Sequence, residues 1–554
     1  RPSSQRVARV SNDEGVSSTH RWDALSRITA WTDTHGGDWS YDWSGDSEQL
    51  LAMTQPGGAR WEYAWDERGN MTLERDPLDR TRITTWHPLY ALPLKEVLPD
   101  GAQWQYDYNL AGDEVALTDP AGGVTRFEWN DQGDLTRRID ALENSHQFWW
   151  DMRGQLIREE DCSGYQSQRR YDACGKLLST TDALGNTDHY QWSAAGRLQT
   201  YVRADGRETL FKYNQAGLLC GQNIDGMLER RVTLNARGQV TEAVEPAGQV
   251  TRYDFSRAGR LVTLTNGNRQ QWRFDYTPAG LLTQQQDYAG RKTEYHYNGV
   301  QRVESVISHP VPNSPLAPRV VNYEYDVLGR IASRETAQHR SEYHYHALST
   351  EIHRFPYAAW RQAMISECEP ADAEVIVFQR DALGNLVSEQ NHAGTYHHQY
   401  DALGNLSASV YPDGREMQFL RYGTGHLLEM QLTLGGRTHA LAGYRRDRLH
   451  RETHRSQGEL ELETEYDIAG RITRRRSVDN LRQCLVSERR YQWDRADQII
   501  RQIVTDGTPA SPAEKYSQSL WGYDAAGRMT RSIQPGGEER FWYDAADNRT
   551  GEDL

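Results

Sequence analysis

The chain has 554 residues and a net charge of −15, with 37% hydrophobic and 10% aromatic residues. A single packed core stops growing at about 250–300 residues, so the chain is too long to be one globular domain. Disordered chains are poor in aromatic residues, so a disordered protein is excluded as well. The composition leaves a folded protein with an unusually large wetted surface, and its negative charge argues against nonspecific nucleic-acid binding.

An internal repeat runs through the chain and is anchored on an aromatic residue that is followed by a turn ending in Gly. Trp65-Asp-Glu-Arg-Gly69, Trp150-Asp-Met-Arg-Gly154 and Tyr213-Asn-Gln-Ala-Gly217 are examples. From residue 108 to residue 297 the anchors fall 21 residues apart without a slip, and outside this block the spacing loosens to 19–35 residues. We count about 24 units over nearly the whole chain, and repeats of this period define the architecture.

Each unit has the sequence of a β-hairpin. A second aromatic lies two residues before the anchor, which places both rings on one face of a strand. The Asp or Asn and the Gly that follow are turn residues, and an aliphatic residue two positions after the Gly opens a second strand. A second Asp- or Asn-based turn begins eleven residues after the anchor, as at Asp119, Asp140 and Asp161, and joins one hairpin to the next.

The pattern therefore predicts an all-β protein of about 24 hairpins in a single-layered sheet that spirals into a hollow shell. A solid sandwich would need a continuous apolar face, whereas a coiled sheet with two wetted faces needs only cohesion between neighbouring strands. We assign residues 1–554 to this one architecture. Regular units occupy about 106–300, and looser units with inserted loops occupy 300–554.

Three insertions break the phase of the repeat. Ser308–Pro318 is rich in proline, Phe355–Met364 is compatible with a short helix, and Asp506–Pro512 contains two prolines and a glycine. Insertions in repeat proteins usually form surface loops, and a partner contact or a plug in the cavity is the alternative.

Two sets of residues carry the predicted structure, and we predict that the aromatics stack as ladders from hairpin to hairpin. The aromatic ladder comprises Phe127, Trp129, Phe148, Trp150, Tyr171, Tyr190, Trp192, Phe211, Tyr213, Tyr253, Phe274 and Tyr276. The repeat turns comprise Gly133, Gly154, Gly175, Gly196, Gly217, Gly238, Gly259 and Gly280.

We predict no catalytic, cofactor-binding or metal-binding residues. The nucleophile, zinc-protease and phosphate-loop motifs do not occur, and the recurrent Asp residues are explained by the turns. The best metal candidates are the pairs His344/His346 and His397/His398, but no third ligand stands near them in the sequence. The five cysteines lack metal-binding spacing and indicate folding in a reduced compartment. No apolar run is long enough for a membrane helix, and no signal peptide is visible.

Arginine supplies 58 of the 63 basic residues. Arginine can stack on aromatic rings and donate in a fork, but an arginine-rich codon usage explains the excess equally well, and both explanations stay open.

The units Tyr171-Asp-Ala-Cys-Gly-Lys-Leu, Tyr400-Asp-Ala-Leu-Gly-Asn-Leu and Tyr523-Asp-Ala-Ala-Gly-Arg-Met resemble the YD repeats of the bacterial Rhs (rearrangement hot spot) family. The resemblance implies a β-cocoon that encloses a C-terminal toxin, in a polymorphic toxin delivered as a type VI secretion effector in interbacterial competition. It implies as partners the enclosed toxin, a VgrG spike bound through an N-terminal PAAR-type region, a chaperone and a cognate immunity protein. The bacterial cytoplasm before export, and then secretion or delivery into target cells, are the implied locations.

The chain departs from the full family pattern at both ends. No PAAR-like region precedes residue 22, and the repeat is still in phase at Tyr543, with no core-closing motif after it. Asp119-Pro120-Ala121-Gly122 resembles that motif only superficially, because it lies at an ordinary second turn. We therefore expect the PAAR-type region and the toxin to lie outside this sequence.

The leading interpretation is a structural container without enzymatic activity of its own. The alternative is an extracellular YD-repeat module that binds carbohydrate or a cell surface. The wholly regular repeats and the small number of cysteines favour the container.

Overall fold

The computed structural model describes residues 6–11, 16–45, 47–368, 370, 373–508 and 511–553. It consists of antiparallel strands and one short helix, which confirms the predicted all-β class and the hairpin repeat. The chain divides into two compact units. The first comprises Arg1–Arg126, Asp254–Thr263 and Gln271–Gly404, and the second comprises Phe127–Tyr253, Leu264–Gln270 and Asn405–Leu554.

The strands follow one another at the spacing of the sequence repeat. The first group is β1 Arg9–Ser11, β2 Ser17–Trp22, β3 Ile28–Thr32, β4 Asp38–Trp43, β5 Leu50–Thr54, β6 Arg60–Trp65, β7 Met71–Arg75, β8 Thr81–Trp86, β9 Pro93–Val97, β10 Gln103–Tyr108, β11 Glu114–Thr118 and β12 Val124–Trp129. The second group is β13 Leu135–Ile139, β14 Ser145–Trp150, β15 Leu156–Glu160, β16 Gln166–Tyr171, β17 Leu177–Thr181, β18 Thr187–Trp192, β19 Leu198–Val202, β20 Glu208–Tyr213, β21 Leu219–Ile224, β22 Leu228–Leu234, β23 Val240–Val244 and β24 Val250–Phe255.

The later strands are longer and less regular. The third group is β25 Leu261–Thr265, β26 Gln271–Tyr276, β27 Leu282–Gln286, β28 Lys292–Tyr297, β29 Val303–Ser308, β30 Arg319–Tyr325, β31 Ile331–Glu335, β32 His339–Tyr345, β33 Ser349–Pro356, α1 Tyr357–Ile365, β34 Glu374–Arg380, β35 Leu386–Asn391 and β36 Gly394–Tyr400. The fourth group is β37 Leu406–Val410, β38 Glu416–Tyr422, β39 His426–Leu434, β40 Arg437–Arg446, β41 Glu452–Gln457, β42 Leu460–Tyr466, β43 Ile472–Asp479, β44 Cys484–Trp493, β45 Ile499–Thr508, β46 Ser511–Tyr523, β47 Met529–Gln534, β48 Gly537–Tyr543 and β49 Arg549–Asp553.

Both turns of a repeat have the same hydrogen-bond design. In the anchor turn after β14, the Asp151 carboxylate accepts from the backbone N–H groups of Arg153 at 2.8 Å and Gln155 at 3.0 Å. Gly154 has φ +72 and donates its N–H to the Asp151 carbonyl at 3.1 Å. The second turn after β15 repeats these bonds with Asp161 as the acceptor. An Asp side chain that bonds the backbone two residues on is the standard means of fixing such a turn.

The anchor ring connects its hairpin to the preceding one. Trp150 Nε1 donates to the Leu135 carbonyl at 2.7 Å, and Leu135 is the first residue of β13, fifteen residues earlier. Tyrosine anchors make the same bond through the phenol, as Tyr171 does to the Leu156 carbonyl at 3.0 Å. The same bond joins Trp43 to Ile28, Trp65 to Leu50, Trp86 to Met71, Tyr108 to Pro93, Trp192 to Leu177, Tyr213 to Leu198, Tyr276 to Leu261 and Tyr297 to Leu282.

At the anchor turns, an Arg that follows the turn Gly adds a second link along the same edge. Arg528 pairs with Asp524 of its own turn at 2.7 Å, and its guanidinium lies 4.8 Å from the ring centroid of the next anchor, Tyr543. Arg330 lies 4.2 Å from the Tyr345 centroid in the same way. Cation–π contacts of this kind contribute about 0.5–1 kcal/mol at exposed sites. The arginine excess of the sequence therefore has a structural use, whatever codon usage adds to it.

The two faces of the sheet differ in chemistry. In β18, Tyr190 and Trp192 are half-buried on one face, and His189 and Gln191 are exposed on the other. On the neighbouring strand β17, Ser179 pairs with His189 and is only 6% exposed. Small buried residues of this kind thus lie on the polar face, while rings cover the other face.

The burial pattern of the described residues is that of a sheet without a packed core. Among the described residues no large side chain is fully buried, and the buried apolar residues are alanines and Phe355. The accessible surface is 33045 Å², whereas a compact 63.6 kDa protein exposes about 20,000 Å². A single layer of sheet with both faces wetted accounts for this excess.

The three insertions take different forms. The proline-rich segment between β29 and β30 contains no strand, as predicted, and the second insertion contains α1. The third differs from the predicted loop, because β45 and β46 extend to Thr508 and Ser511 as a long hairpin. Pro509 and Ala510 lie outside the described residues. The pairing of Asp506 with Lys515 shows that the flanking sequence continues the sheet despite its turn-like composition.

The turn carboxylate can be tested by replacing Asp151 with Ala. The substitution removes two hydrogen bonds to a charged acceptor, worth about 1–2 kcal/mol, and we expect amide hydrogen exchange in residues 145–160 to accelerate about 5–30-fold. Asp131→Ala is the matched control, since Asp131 is exposed in the neighbouring turn and the described residues show no hydrogen bond to its carboxylate. Equal exchange rates in the two variants would contradict the assigned role.

The anchor bond can be tested by the triple variant Trp65→Phe, Trp150→Phe and Trp192→Phe. It keeps three rings and removes three N–H donors, each contributing about 0.5–1.5 kcal/mol, so we expect a lower Tm in calorimetry. The control variant is Trp61→Phe, Trp104→Phe and Trp149→Phe, whose indoles make no hydrogen bond among the described residues. A control that lost as much stability as the test variant would show that ring size, and not the donor, matters.

Candidate functional site

The second unit contains a seam where turns distant in sequence meet, and we define the seam by three groups of contacts. Asp161 meets His450, Arg203 and Arg207 meet Asp497, and Gln249 meets Asp547. Second turns of the earlier strands thus contact anchor turns of strands that come 266–298 residues later. The seam fastens one run of hairpins to another, so it is the part of this unit that would have to open for the runs to separate.

Three arginines surround one carboxylate in the middle of the seam. Arg203 and Arg207 contact Asp497 Oδ2 at 3.0 and 2.5 Å, and Arg471 contacts Oδ1 at 2.9 Å. The three guanidinium groups line a polar cleft of about 770 Å³. The three arginine side chains are mostly buried and Asp497 is 38% exposed, so salt screens these ion pairs only in part.

A histidine cluster holds another part of the seam. His450 Nε2 lies 2.8 Å from Asp161 Oδ2, and its Nδ1 lies 3.1 Å from the Tyr422 hydroxyl. The rings of His450 and His426 are stacked, with centroids 3.8 Å apart and planes 7° apart. A neutral His450 that carries its proton on Nε2 donates to Asp161 and accepts from Tyr422, so both bonds are satisfied at once.

The electrostatics of this cluster follow from its partial burial. Burial alone would raise the pKa of Asp161, but the hydrogen bonds from His450 and from the turn backbone outweigh it and lower the pKa. Burial lowers the pKa of His426 below 6.5, and the nearby His450 and Arg446 lower it further. Burial and Asp161 raise the pKa of the Cys162 thiol, which keeps Cys162 in its less reactive protonated form.

The structure places the predicted ladder residues on the ring face and the predicted turn glycines at positive φ. Phe148 stacks on His146 at 4.5 Å, Tyr190 on Tyr201 at 5.3 Å and Phe274 on Trp272 at 6.0 Å. The eight glycines have φ between +72 and +109. Stacking from hairpin to hairpin stays a prediction, since these three contacts join rings of one strand or of one hairpin.

Sequence reasoning missed the anchor donors and the whole seam. The anchors offered a signal, because almost all of them are Trp or Tyr, the aromatics with a hydrogen-bond donor, and Phe255 is an exception. The seam offered none, since its partners lie far apart in the chain and share no local pattern.

The histidine candidates belong to the first unit. His344 meets His353 edge to face at 4.8 Å, and His346 Nε2 lies 3.8 Å from a Glu351 carboxylate oxygen. Across the described ranges, no three His, Cys, Asp or Glu side chains converge as metal ligands. The described part of the chain contains no helix long and apolar enough to cross a bilayer.

The first unit contains an aromatic cleft of about 710 Å³ between β2 and β5. His20, Trp31, Tyr41 and Trp43 contribute its rings, and Trp31 Nε1 donates to the Tyr41 hydroxyl at 3.1 Å. Apolar clefts with a few polar groups are the common form of ligand pockets.

Comparison with known proteins relates the repeat to a described family. The family model described as RHS Repeat matches residues 46–81, 108–144, 150–187, 235–271 and 380–416. The double-stranded DNA deaminase toxin A of Burkholderia cenocepacia is 28% identical over 244 residues, which cover 42% of this chain and 15% of that protein. The probable deoxyribonuclease RhsB of Dickeya dadantii is 43% identical over 49 residues, which cover 9% of this chain and 3% of that protein.

Solved structures share the fold. A crystal structure of TcdB2-TccC3-TEV superposes with a TM-score of 0.61 at 10% identity, covering 97% of this chain and 37% of that one. A Tc holotoxin pore of Photorhabdus luminescens superposes with a TM-score of 0.50 at 10% identity, covering 97% and 35%. The chain thus spans less than a sixth of the curated relatives and just over a third of these structures. The chain therefore carries RHS repeats in five matched segments and shares the hairpin fold of these solved structures.

Proposed function

We propose that this chain is the wall of a container that encloses and shields a toxin carried on the same polypeptide. The wall consists of the hairpin sheet, and the seam holds successive runs of hairpins together. The toxin is the C-terminal continuation of the chain and is kept from its targets until delivery.

One observation carries the proposal, namely that the sheet is a single layer with both faces wetted. Its accessible surface of 33045 Å² and the lack of fully buried large side chains among the described residues fit a wall around a cavity. A protein that used its fold to build a catalytic pocket would bury more of its apolar side chains. The relative named as a DNA deaminase toxin supports the proposal, because the matched region is part of a much longer protein.

The finer parts of the proposal rest on the family resemblance. We infer delivery by a type VI secretion system in interbacterial competition, through a VgrG spike and an N-terminal PAAR-type region. A chaperone and a cognate immunity protein would protect the producing cell, in whose cytoplasm the container is assembled before export. The enzymatic activity belongs to the enclosed toxin and not to this segment.

The alternative is a module that binds carbohydrate or a cell surface, and the aromatic cleft of the first unit favours it. Rings with adjacent hydroxyl and carboxylate groups suit a sugar, and Glu48 is among the residues that line this cleft. The container and the surface module differ in where a C-terminal continuation of the chain would lie, so one experiment separates them.

Protease protection tests the container directly. The natural gene product, including whatever follows residue 554, is treated with proteinase K in buffer and in rising urea. We expect the C-terminal continuation to resist digestion until the urea concentration at which strand structure is lost, because the wall excludes the protease. The same continuation expressed alone serves as the control for its intrinsic sensitivity.

A continuation digested at the same rate in the intact protein as in isolation would contradict the container and favour the surface module. If the isolated continuation itself resists proteinase K, a fusion of the continuation to an unrelated N-terminal domain serves as the comparison. The container predicts that the continuation is digested faster in this fusion than in the natural gene product.

A further inference from the structure

We propose that the histidine cluster makes the seam of the second unit acid-sensitive, so that the contact between the turns at Asp161 and His450 opens when the pH falls. The inference deepens the proposed function, since it names a condition under which the container would loosen. It rests on the stacked His426 and His450 rings and on their position between turns from two distant parts of the chain.

The geometry allows one charge on the histidine pair but not two. A single proton on the pair leaves an imidazolium beside the Asp161 carboxylate and a neutral ring stacked on it. A second proton would place two cations face to face at 3.8 Å. Partial burial strengthens this repulsion, since like charges interact more strongly where water is excluded.

The charged groups around the pair do not compensate a second proton. On the turn at Asp161, the other titratable groups are Cys162 and Tyr165, and Tyr165 lies 5.2 Å from His450. On the strand before His426 lie Tyr422 and Arg421, and Arg421 Nη1 donates to the Gly425 carbonyl. Arg446, Asp447 and the exposed Arg448 precede His450, and the Asp447 carboxylate is taken by Arg451 at 2.7 Å.

Asp161 is therefore the one carboxylate bonded to the histidine pair among the described residues. Asp140, from the neighbouring second turn, accepts from the Asn144 side chain and backbone. Arg446 adds positive charge close to the pair, where its Nη1 donates to the His450 carbonyl at 3.0 Å.

The sign of the pH effect follows from the lowered pKa of His426. Above its ordinary value of 6.5, neither the closed nor the open seam protonates this ring, and the contact has its full strength. As the pH falls below 6.5, the open seam binds a proton that the closed seam resists, so opening becomes progressively favoured. The loss levels off once the pH is below the lowered pKa of the closed state.

Cys162 supplies a native reporter of opening. A Cβ placed on Gly423 would lie 3.0 Å from Cys162 Sγ, so the turn at Gly423 covers this thiol when the seam is closed. The full chain is labelled with 4,4′-dithiodipyridine, a disulfide reagent that also reacts in acid, and the labelling of Cys162 relative to Cys220 is measured by peptide mass. Cys220 lies in β21 and corrects for the effect of pH on the reagent.

We expect the Cys162/Cys220 ratio to rise about tenfold between about pH 8 and pH 5, with its midpoint below 6.5. In His426→Phe, which keeps a stacked ring and removes the titrating group, we expect the ratio to change less than about twofold. His454→Phe is the matched control, since His454 pairs with Glu461 across one hairpin away from the seam, and it should keep the full rise.

A flat ratio in the unmodified chain, or an equal rise in His426→Phe, would overturn the proposal. If His426→Phe does not fold, His426→Gln takes its place, and the profile of the unmodified chain alone must still show the rise. Failure here leaves protease protection at neutral pH untouched, so it is distinguishable from failure of the container itself.

Discussion

The hydrogen bond from most Trp and Tyr anchors to a backbone carbonyl in the preceding hairpin is the interaction on which the rest of the structure depends. A hairpin of two five- or six-residue strands is marginal by itself, and the described part of this sheet has no second layer to pack against. The anchor places a ring over the junction with the neighbouring hairpin, and its polar tip satisfies a carbonyl at the edge. Cohesion along the sheet therefore comes from many small, repeated links rather than from one core, as is usual where repeats contact only their neighbours.

The arginines extend the same principle. Arg471 follows a turn Gly, and its guanidinium contacts the carboxylate of its own turn, the carbonyl of the next turn and the next anchor ring. Lysine cannot make this contact set, because it lacks the planar fork. Arg471 also contacts Asp497, which lies in the next anchor turn of the same run. Asp497 in turn pairs with Arg203 and Arg207 of the other run, so the link along one run continues into the seam.

Most of the fold could be predicted from the sequence, because a hairpin is encoded within 21 residues. Asp151 and Gly154 specify a turn by themselves, and the alternation of Tyr190 and Trp192 with polar residues specifies the two faces. The seam could not be predicted, since the contact of Asp161 with His450 depends on how the sheet curves over many strands. The long hairpin at β45 and β46 was missed for a related reason. There, pairing with a neighbouring strand outweighs the turn preference of proline and glycine.

An electron cryomicroscopy map of the natural gene product tests most directly the proposal that the chain forms a wall around cargo. The account predicts a continuous layer one sheet thick that surrounds additional, weaker density belonging to the C-terminal continuation. A map in which the continuation forms a separate domain outside the sheet, or in which the sheet packs against itself without an enclosed space, would contradict the account.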